Sequence, residues 1–233
     1  MKKTLKFAQF KDAYRYNSIS LILTNFALKL GIKNELLDVG CGCGIIGILL
    51  KNECKNLNLN LLEIQAENIK LIEKNLKENN INARLFCCDF KDFESDKKFD
   101  IIICNPPFYR QGVLQSENNH KNISKTAQFL PLSTLISKAN SLLKPRGILY
   151  FCYEALAIDK ICFLLEDKKF KLTKLQCVHS KPKQAAKFVL IQARKGVKSP
   201  CEILEPFYIF KNKNLSKKMK EICLKFKILS YDF

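Results

Sequence analysis

Leu36-Leu37-Asp38-Val39-Gly40-Cys41-Gly42-Cys43-Gly44-Ile45-Ile46-Gly47-Ile48-Leu49-Leu50 is the stretch that decides the fold. A short apolar run, glycine at every second position and a second apolar run predict a strand, a tight turn and a helix. Glycines at 40, 42 and 44 let the backbone turn sharply and approach a ligand without Cβ collisions. The first turn of the helix behind them offers unpaired N–H groups. Asp38 stands two residues before Gly40, where its carboxylate can order the loop or reach a ligand through water. A glycine turn after a strand serves several nucleotide-binding classes, so the turn alone does not name one.

Outward from this unit the pattern repeats. Leu59 to Ile64 reads as a second strand and Ala66 to Asn79 as a helix with Ile69, Ile72 and Leu76 on one face. Ala83 to Cys87 is a third strand closing at Asp89, and Phe99 to Cys104 a fourth that runs into Asn105-Pro106-Pro107-Phe108. Residues 127–143 carry a helical pattern, Pro145-Arg146-Gly147 a turn, Ile148 to Tyr153 a strand and Asp159 to Asp167 a helix. Phe170 to His179 and Ala186 to Arg194 follow as two strands with no helix between them. The expectation is an α/β, Rossmann-like fold: a mostly parallel seven-stranded sheet, helices on both faces, and a terminal antiparallel hairpin. An N-terminal arm and helix would occupy 1–30, the main domain 31–210, and a basic C-terminal tail or helix 211–233. The polar segment 109–125 has no clear period and reads as a mobile active-site loop.

Three strand ends in this scheme carry an acid. Glu63, followed by Ile64, can take two hydrogen bonds from ribose hydroxyls, and Asp89 can accept from an adenine amino group with Phe90 packed on the ring. Open parallel sheets bind ligands along this edge. Cys41 and Cys43 with Cys87 and Cys88 lack paired metal-ligand spacing, so no metal is expected.

The motif at 105–108 is the most specific signal. An exocyclic amino nitrogen on a purine is conjugated with its ring and is a poor nucleophile. The Asn105 side-chain oxygen and the Pro106 carbonyl are two acceptors for its two N–H groups, Pro107 stiffens the turn, and Phe108 can stack on the base. Such a site needs acceptors more than a base, so neither His120 nor His179 is required as one.

The formal charge of +18 on 233 residues suits a polyanionic partner. Arg15, Lys181, Lys183, Lys187, Lys217 and Lys218 are the candidate RNA contacts, and a solvated lysine surface is the alternative. The basic start is followed by no apolar segment long enough for a signal-peptide core or a membrane span. That predicts a cytoplasmic protein with no membrane role, and no obligate protein partner is evident.

Asp38 to Gly44, Glu63-Ile64-Gln65, Asp89 and Asn105 to Phe108 resemble the class I amino methyltransferases, and within them the bacterial tRNA1(Val) adenine-N6 methyltransferase family. The resemblance spans about Phe10 to Phe210 and includes Leu143-Lys144-Pro145-Arg146-Gly147, Val178-His179-Ser180-Lys181 and Leu204-Glu205-Pro206-Phe207. It implies S-adenosyl-L-methionine as cofactor, held by Asp38, Gly40, Cys41, Gly42, Glu63, Ile64, Asp89, Phe90 and Asn105. It also implies methylation of N6 of adenosine 37 in tRNA1(Val). Near Asn17 to Leu21 the family usually carries an Asp where this chain has Ile19. The motif also occurs in ribosomal RNA guanine-N2, DNA adenine and protein glutamine-N5 methyltransferases. A non-catalytic RNA-binding protein on the same fold is the reading outside enzymes.

Overall fold

The computed structural model describes residues 4–11, 15–106 and 130–233. It opens with β1 (Leu5–Gln9), α1 (Ser18–Leu30), β2 (Glu35–Val39), α2 (Ile45–Glu53), β3 (Asn58–Glu63), α3 (Ala66–Asn79), β4 (Arg84–Cys87) and β5 (Phe99–Cys104). Beyond residue 130 come α4 (Leu132–Leu142), β6 (Leu143–Glu154), α5 (Ile158–Asp167), β7 (Phe170–His179) and β8 (Ala186–Lys195). Short strands β9 (Glu202–Ile203), β10 (Phe207–Tyr208), β11 (Phe210–Lys211) and β12 (Asn214–Leu215) lead to α6 (Lys217–Phe226) and β13 (Ile228–Asp232).

The main sheet has the order β10-β7-β8-β6-β5-β2-β3-β4, with β9 also on β7. Its centre is parallel, and β8 is antiparallel to both β6 and β7. The expected α/β sheet and its hairpin are therefore present, with β8 lodged between β6 and its own hairpin partner. Strands β9 and β10 widen the sheet to nine; two-residue strands carry no period by which a sequence could announce them. Helices on both faces explain why Leu36-Leu37 and Ile101 to Cys104 are unbroken apolar runs, all fully buried.

Strand β6 starts at Leu143, earlier than the expected Ile148. Pro145-Arg146-Gly147 is an irregularity within it, where pairing to β5 shifts from Phe99–Leu143 to Ile101–Ile148. Arg146 takes φ 61°, and a Cβ on Gly147 would lie 2.9 Å from the Lys144 carbonyl. The loop expected at 109–125 and the helix start expected at 127 lie outside the described residues.

The N-terminal segment is a strand rather than a loose arm. Asn75 and Asn79, one turn apart on α3, present their amides to β1: Ala8 N–H donates to Asn75 Oδ1 at 2.8 Å and Lys6 N–H to Asn79 Oδ1 at 2.9 Å. Their amide nitrogens donate back to the Ala8 and Lys6 carbonyls. The helix thus completes one edge of β1, and β13 pairs in parallel with the other. Buried backbone groups need such partners, and here side chains from α3 supply them.

From β2 the chain steps outward to β3 and β4, then returns to β5 on the other side of β2. The carboxyl ends of β2 and β5 therefore flank the point where the winding reverses, the place where open α/β sheets open a crevice.

Candidate active site

At that crevice Tyr16, Ser20, Gly40 to Cys43, Glu63, Asp89, Phe90 and Asn105 line one cavity. Gly40, Gly42 and Gly44 have φ of 63°, 59° and 79°, the left-handed region that favours glycine. A Cβ at Gly40 or Gly42 would meet no protein atom within 4 Å. Backbone conformation and room for a ligand, not packing against protein, ask for glycine there.

Glu63 organises this loop. Its Oε2 accepts from Gly42 N–H at 2.8 Å and its Oε1 from Gln65 N–H at 3.0 Å. The Asn68 side chain and the Ile64 N–H also hydrogen-bond the carboxylate. Burial raises the Glu63 pKa, against the pull of these hydrogen bonds. Ile64, beside it, is partly exposed at the rim.

Asp38 sits beneath the loop rather than on the cavity wall. Its Oδ2 accepts from Gly47 N–H at 2.8 Å, and Oδ1 is buried without a hydrogen-bond partner among the described residues. Burial pushes its pKa up to about 7, and the Glu63 charge adds to the rise. Asp89 lines the cavity, accepting from Lys91 N–H at 2.9 Å and facing Lys91 Nζ at 3.3 Å. Phe90 is buried beside it. Cys41 and Cys43 are free thiols, and burial holds the first well above its usual pKa and the second at about 12. Both are neutral small apolar residues at neutral pH. Among the described residues no group of three His, Cys, Asp or Glu side chains is placed to hold a metal.

Asn105 follows β5 directly, and its amide is held from both sides. Nδ2 donates to Ser20 Oγ at 3.0 Å, and the Cys152 thiol donates to Oδ1 at 2.8 Å. A carbonyl oxygen has two lone pairs, so the thiol leaves one for a further donor. Pro106 ends the described stretch; Pro107 and Phe108 lie outside it.

The chain belongs to the methyltransferase small-domain family. The family model, "Methyltransferase small domain", matches residues 17–158, which carry the glycine loop, the three acids and Asn105. The enzyme is an S-adenosyl-L-methionine-dependent methyltransferase. It is 26% identical over 172 residues to the Flavobacterium psychrophilum tRNA1(Val) (adenine(37)-N6)-methyltransferase, covering 72% of this chain and 73% of that one. It is 39% identical over 79 residues to the Haemophilus influenzae ribosomal RNA small subunit methyltransferase C, a match of 34% of this chain and 23% of that protein. The fold resembles that of a predicted O-methyltransferase from Agrobacterium tumefaciens, with TM-score 0.68, 14% identity and 91% and 98% of the two chains covered.

Ser20 and Cys152 at the methyltransferase site had no part in the motif-based expectations, whereas Tyr16 belongs to the aromatic and basic stretch of the sequence before α1 that can cover the cofactor or touch RNA. Ser20 is one of several polar residues on its helix, with Ser18, Thr24, Asn25 and Lys29, so nothing local singles it out. Cys152 lies in a continuous apolar run, where cysteine reads as core. Tyr16 reaches the cavity because its N–H donates to Gln9 Oε1 at 3.1 Å and its hydroxyl meets Ser230 Oγ at 2.6 Å, a contact between the chain's two ends.

The candidate RNA contacts divide. Arg15 pairs with Asp232 at 2.6 Å and Lys218 with Glu205 at 2.8 Å. Lys181, Lys183, Lys187 and Lys217 are exposed. His179 Nδ1 lies 2.7 Å from the Gln184 carbonyl oxygen, within a turn and away from the cavity lining.

Proposed function

We propose that this methyltransferase acts on the N6 amino group of an adenosine in tRNA, position 37 of tRNA1(Val). The observation that carries the proposal is the Asn105 amide, fixed by Ser20 and Cys152 at the wall of the cavity built from the glycine loop, Glu63 and Asp89. The names of the relatives that match over most of their length support the choice of nucleotide.

Glu63 would take the ribose hydroxyls, Asp89 and Phe90 the adenine, and the backbone of Gly40, Cys41 and Gly42 the methionine end, with Asp38 bracing the loop from below. Ile64 would pack at the ribose. S-adenosyl-L-methionine supplies an electrophilic methyl group on a sulfonium sulfur. Asn105 Oδ1 and the Pro106 carbonyl would each accept one N–H of the target amino group, which turns the nitrogen lone pair toward the donor. Pro107 would stiffen that turn and Phe108 stack on the extruded base. A neutral amide orients the amine without taking its proton, so the proton leaves to water. The gain is positioning and preorganised polarity. Lys181, Lys183, Lys187 and Lys217 are the proposed RNA contacts, while Arg15 and Lys218 would first have to leave Asp232 and Glu205.

The stretch shared with the ribosomal RNA enzyme favours guanine N2 as a second reading, because the amino group there is equally planar. Transfer of labelled methyl to fractionated cellular RNA, followed by nucleoside analysis, separates the two. N6-methyladenosine in tRNA is the expected product. N2-methylguanosine, or label confined to protein, defeats the adenosine assignment.

A further inference from the structure

We infer that the RNA strand beside the target nucleotide runs over the top of a raised wall formed by β6, β8, β7 and β10, gripped there by Lys181, Lys183, Lys211 and Lys213. The inference rests on the RNA reading above and adds which surface carries the substrate.

Strand register builds the wall. Cys104 of β5 is level with Phe151 of β6, Ile191 of β8 and Leu175 of β7. Asn105 is one residue beyond that level, whereas β7 continues to His179. At about 3.3 Å per residue, β7 therefore runs roughly 10 Å further past that level, along its own axis, than the chain does at Asn105. Strand β10 runs alongside, Phe207 with Val178 and Tyr208 with His179, and Phe210 N–H donates to the Ser180 carbonyl at 2.9 Å. The His179 and Tyr208 rings, 5.3 Å apart, join the two strands at the crest.

Two turns project from this crest. The β7–β8 turn carries Lys181 and Lys183, and the β11–β12 hairpin carries Lys211 and Lys213; all four are exposed. Lys183 and Asn212 take φ of 63° and 58°, so each turn is tight and presents its lysines from a fixed backbone. No acidic residue occurs between Asp167 and Glu202, or between Glu205 and Glu221. Among the described residues no carboxylate pairs with these four lysines, whereas Lys171 and Lys174 lower on β7, and Lys218 at the start of α6, are paired with Glu166, Glu202 and Glu205. The crest cations keep their charge for an outside partner. Two basic turns, whose tips at 181–184 and 211–213 carry lysine, asparagine and glutamine beside Pro182, fit a phosphate backbone.

A fourfold Lys→Glu variant at 181, 183, 211 and 213 tests the wall against long-range attraction by the whole charge. Its control carries the same four changes at Lys33, Lys55, Lys169 and Lys198. These are exposed and lie at the opposite edge of the sheet, just before β2, β3 and β7 and just after β8. For an unmodified tRNA transcript, the wall variant should raise KM about 30-fold or more. Losing four phosphate contacts should also make the slope of log Kd against log salt shallower by about 3. S-adenosyl-L-methionine affinity should stay within about twofold, and the control should raise KM less than about threefold. Equal losses in the two variants, or no loss in the first, overturn the wall. A wild-type protein that binds tRNA through these lysines yet methylates no RNA defeats the proposed function and leaves the wall standing.

Discussion

The two sides of Asn105 are built on opposite principles. On the β2–β3–β4 side, acids lie in or beside the sheet, and the two carboxylates at the glycine loop, Asp38 and Glu63, are buried and accept from backbone N–H groups. On the β6–β8–β7 side β7 runs further, and the turns carry exposed lysines without acids among them. The proposed roles follow this contrast: enclosure and a hydrogen-bonded loop for the small cofactor, an open crest with unpaired lysines for the polyanion. Asn105 belongs to both, since Ser20 and Cys152 reach it from α1 and from β6.

The sharpest way to break this division is at the junction itself. Asn105→Ala should lower kcat by about 10²–10³ or more, on the scale of losing one preorganised polar group at a reacting centre. Affinities for S-adenosyl-L-methionine and for tRNA should stay near wild type. Retained turnover, or loss of either binding step, would remove Asn105 from its assigned place.

The next effect concerns the enclosed side. The Asp38 pKa is raised to about 7, so the folded protein holds this proton more tightly than the unfolded chain does. The resulting stability is fully present below the unfolded carboxylate pKa, near 4, and is lost as pH rises through about 7. The shift corresponds to about 4 kcal/mol. Without ligand, wild type should therefore lose about that much relative to Asp38→Asn between pH 4 and pH 8, by denaturant unfolding. Parallel pH curves for the two proteins would refute the buried carboxylate with one oxygen left without a partner.

The smallest effect tests the bridge from the open side. Cys152→Ala removes one hydrogen bond to Asn105 Oδ1 and should lower kcat by up to about tenfold, with the KM for S-adenosyl-L-methionine unchanged. Cys152→Ser, which keeps a donor, should restore most of the rate. A packing role alone predicts loss of thermal stability in both variants without the split between kcat and KM.

Local signals explain why so much of the enclosed side was legible. The glycine spacing, the strand-end acids and the Asn-Pro-Pro motif each act within a few residues. The predicted helix at Ala66–Asn79 has the observed bounds because its apolar residues recur at helical spacing, and the predicted strand at Phe170–His179 also has the observed bounds. Asn75 and Asn79 read as ordinary polar positions on a helix. Their partner strand lies some 70 residues away, and nothing local marks it.

By itself, then, the sequence determined the α/β order, the loop that must be glycine, and the Asn-Pro pair that follows β5. Each depends on backbone conformation or on chemistry carried by neighbours in the chain. The tertiary structure alone decided the pairing of β1 with β13, the two-sided hold on Asn105 and how far β7 runs past its level to the lysine-bearing crest. These depend on register and closure between distant segments, which are settled only when the sheet is assembled.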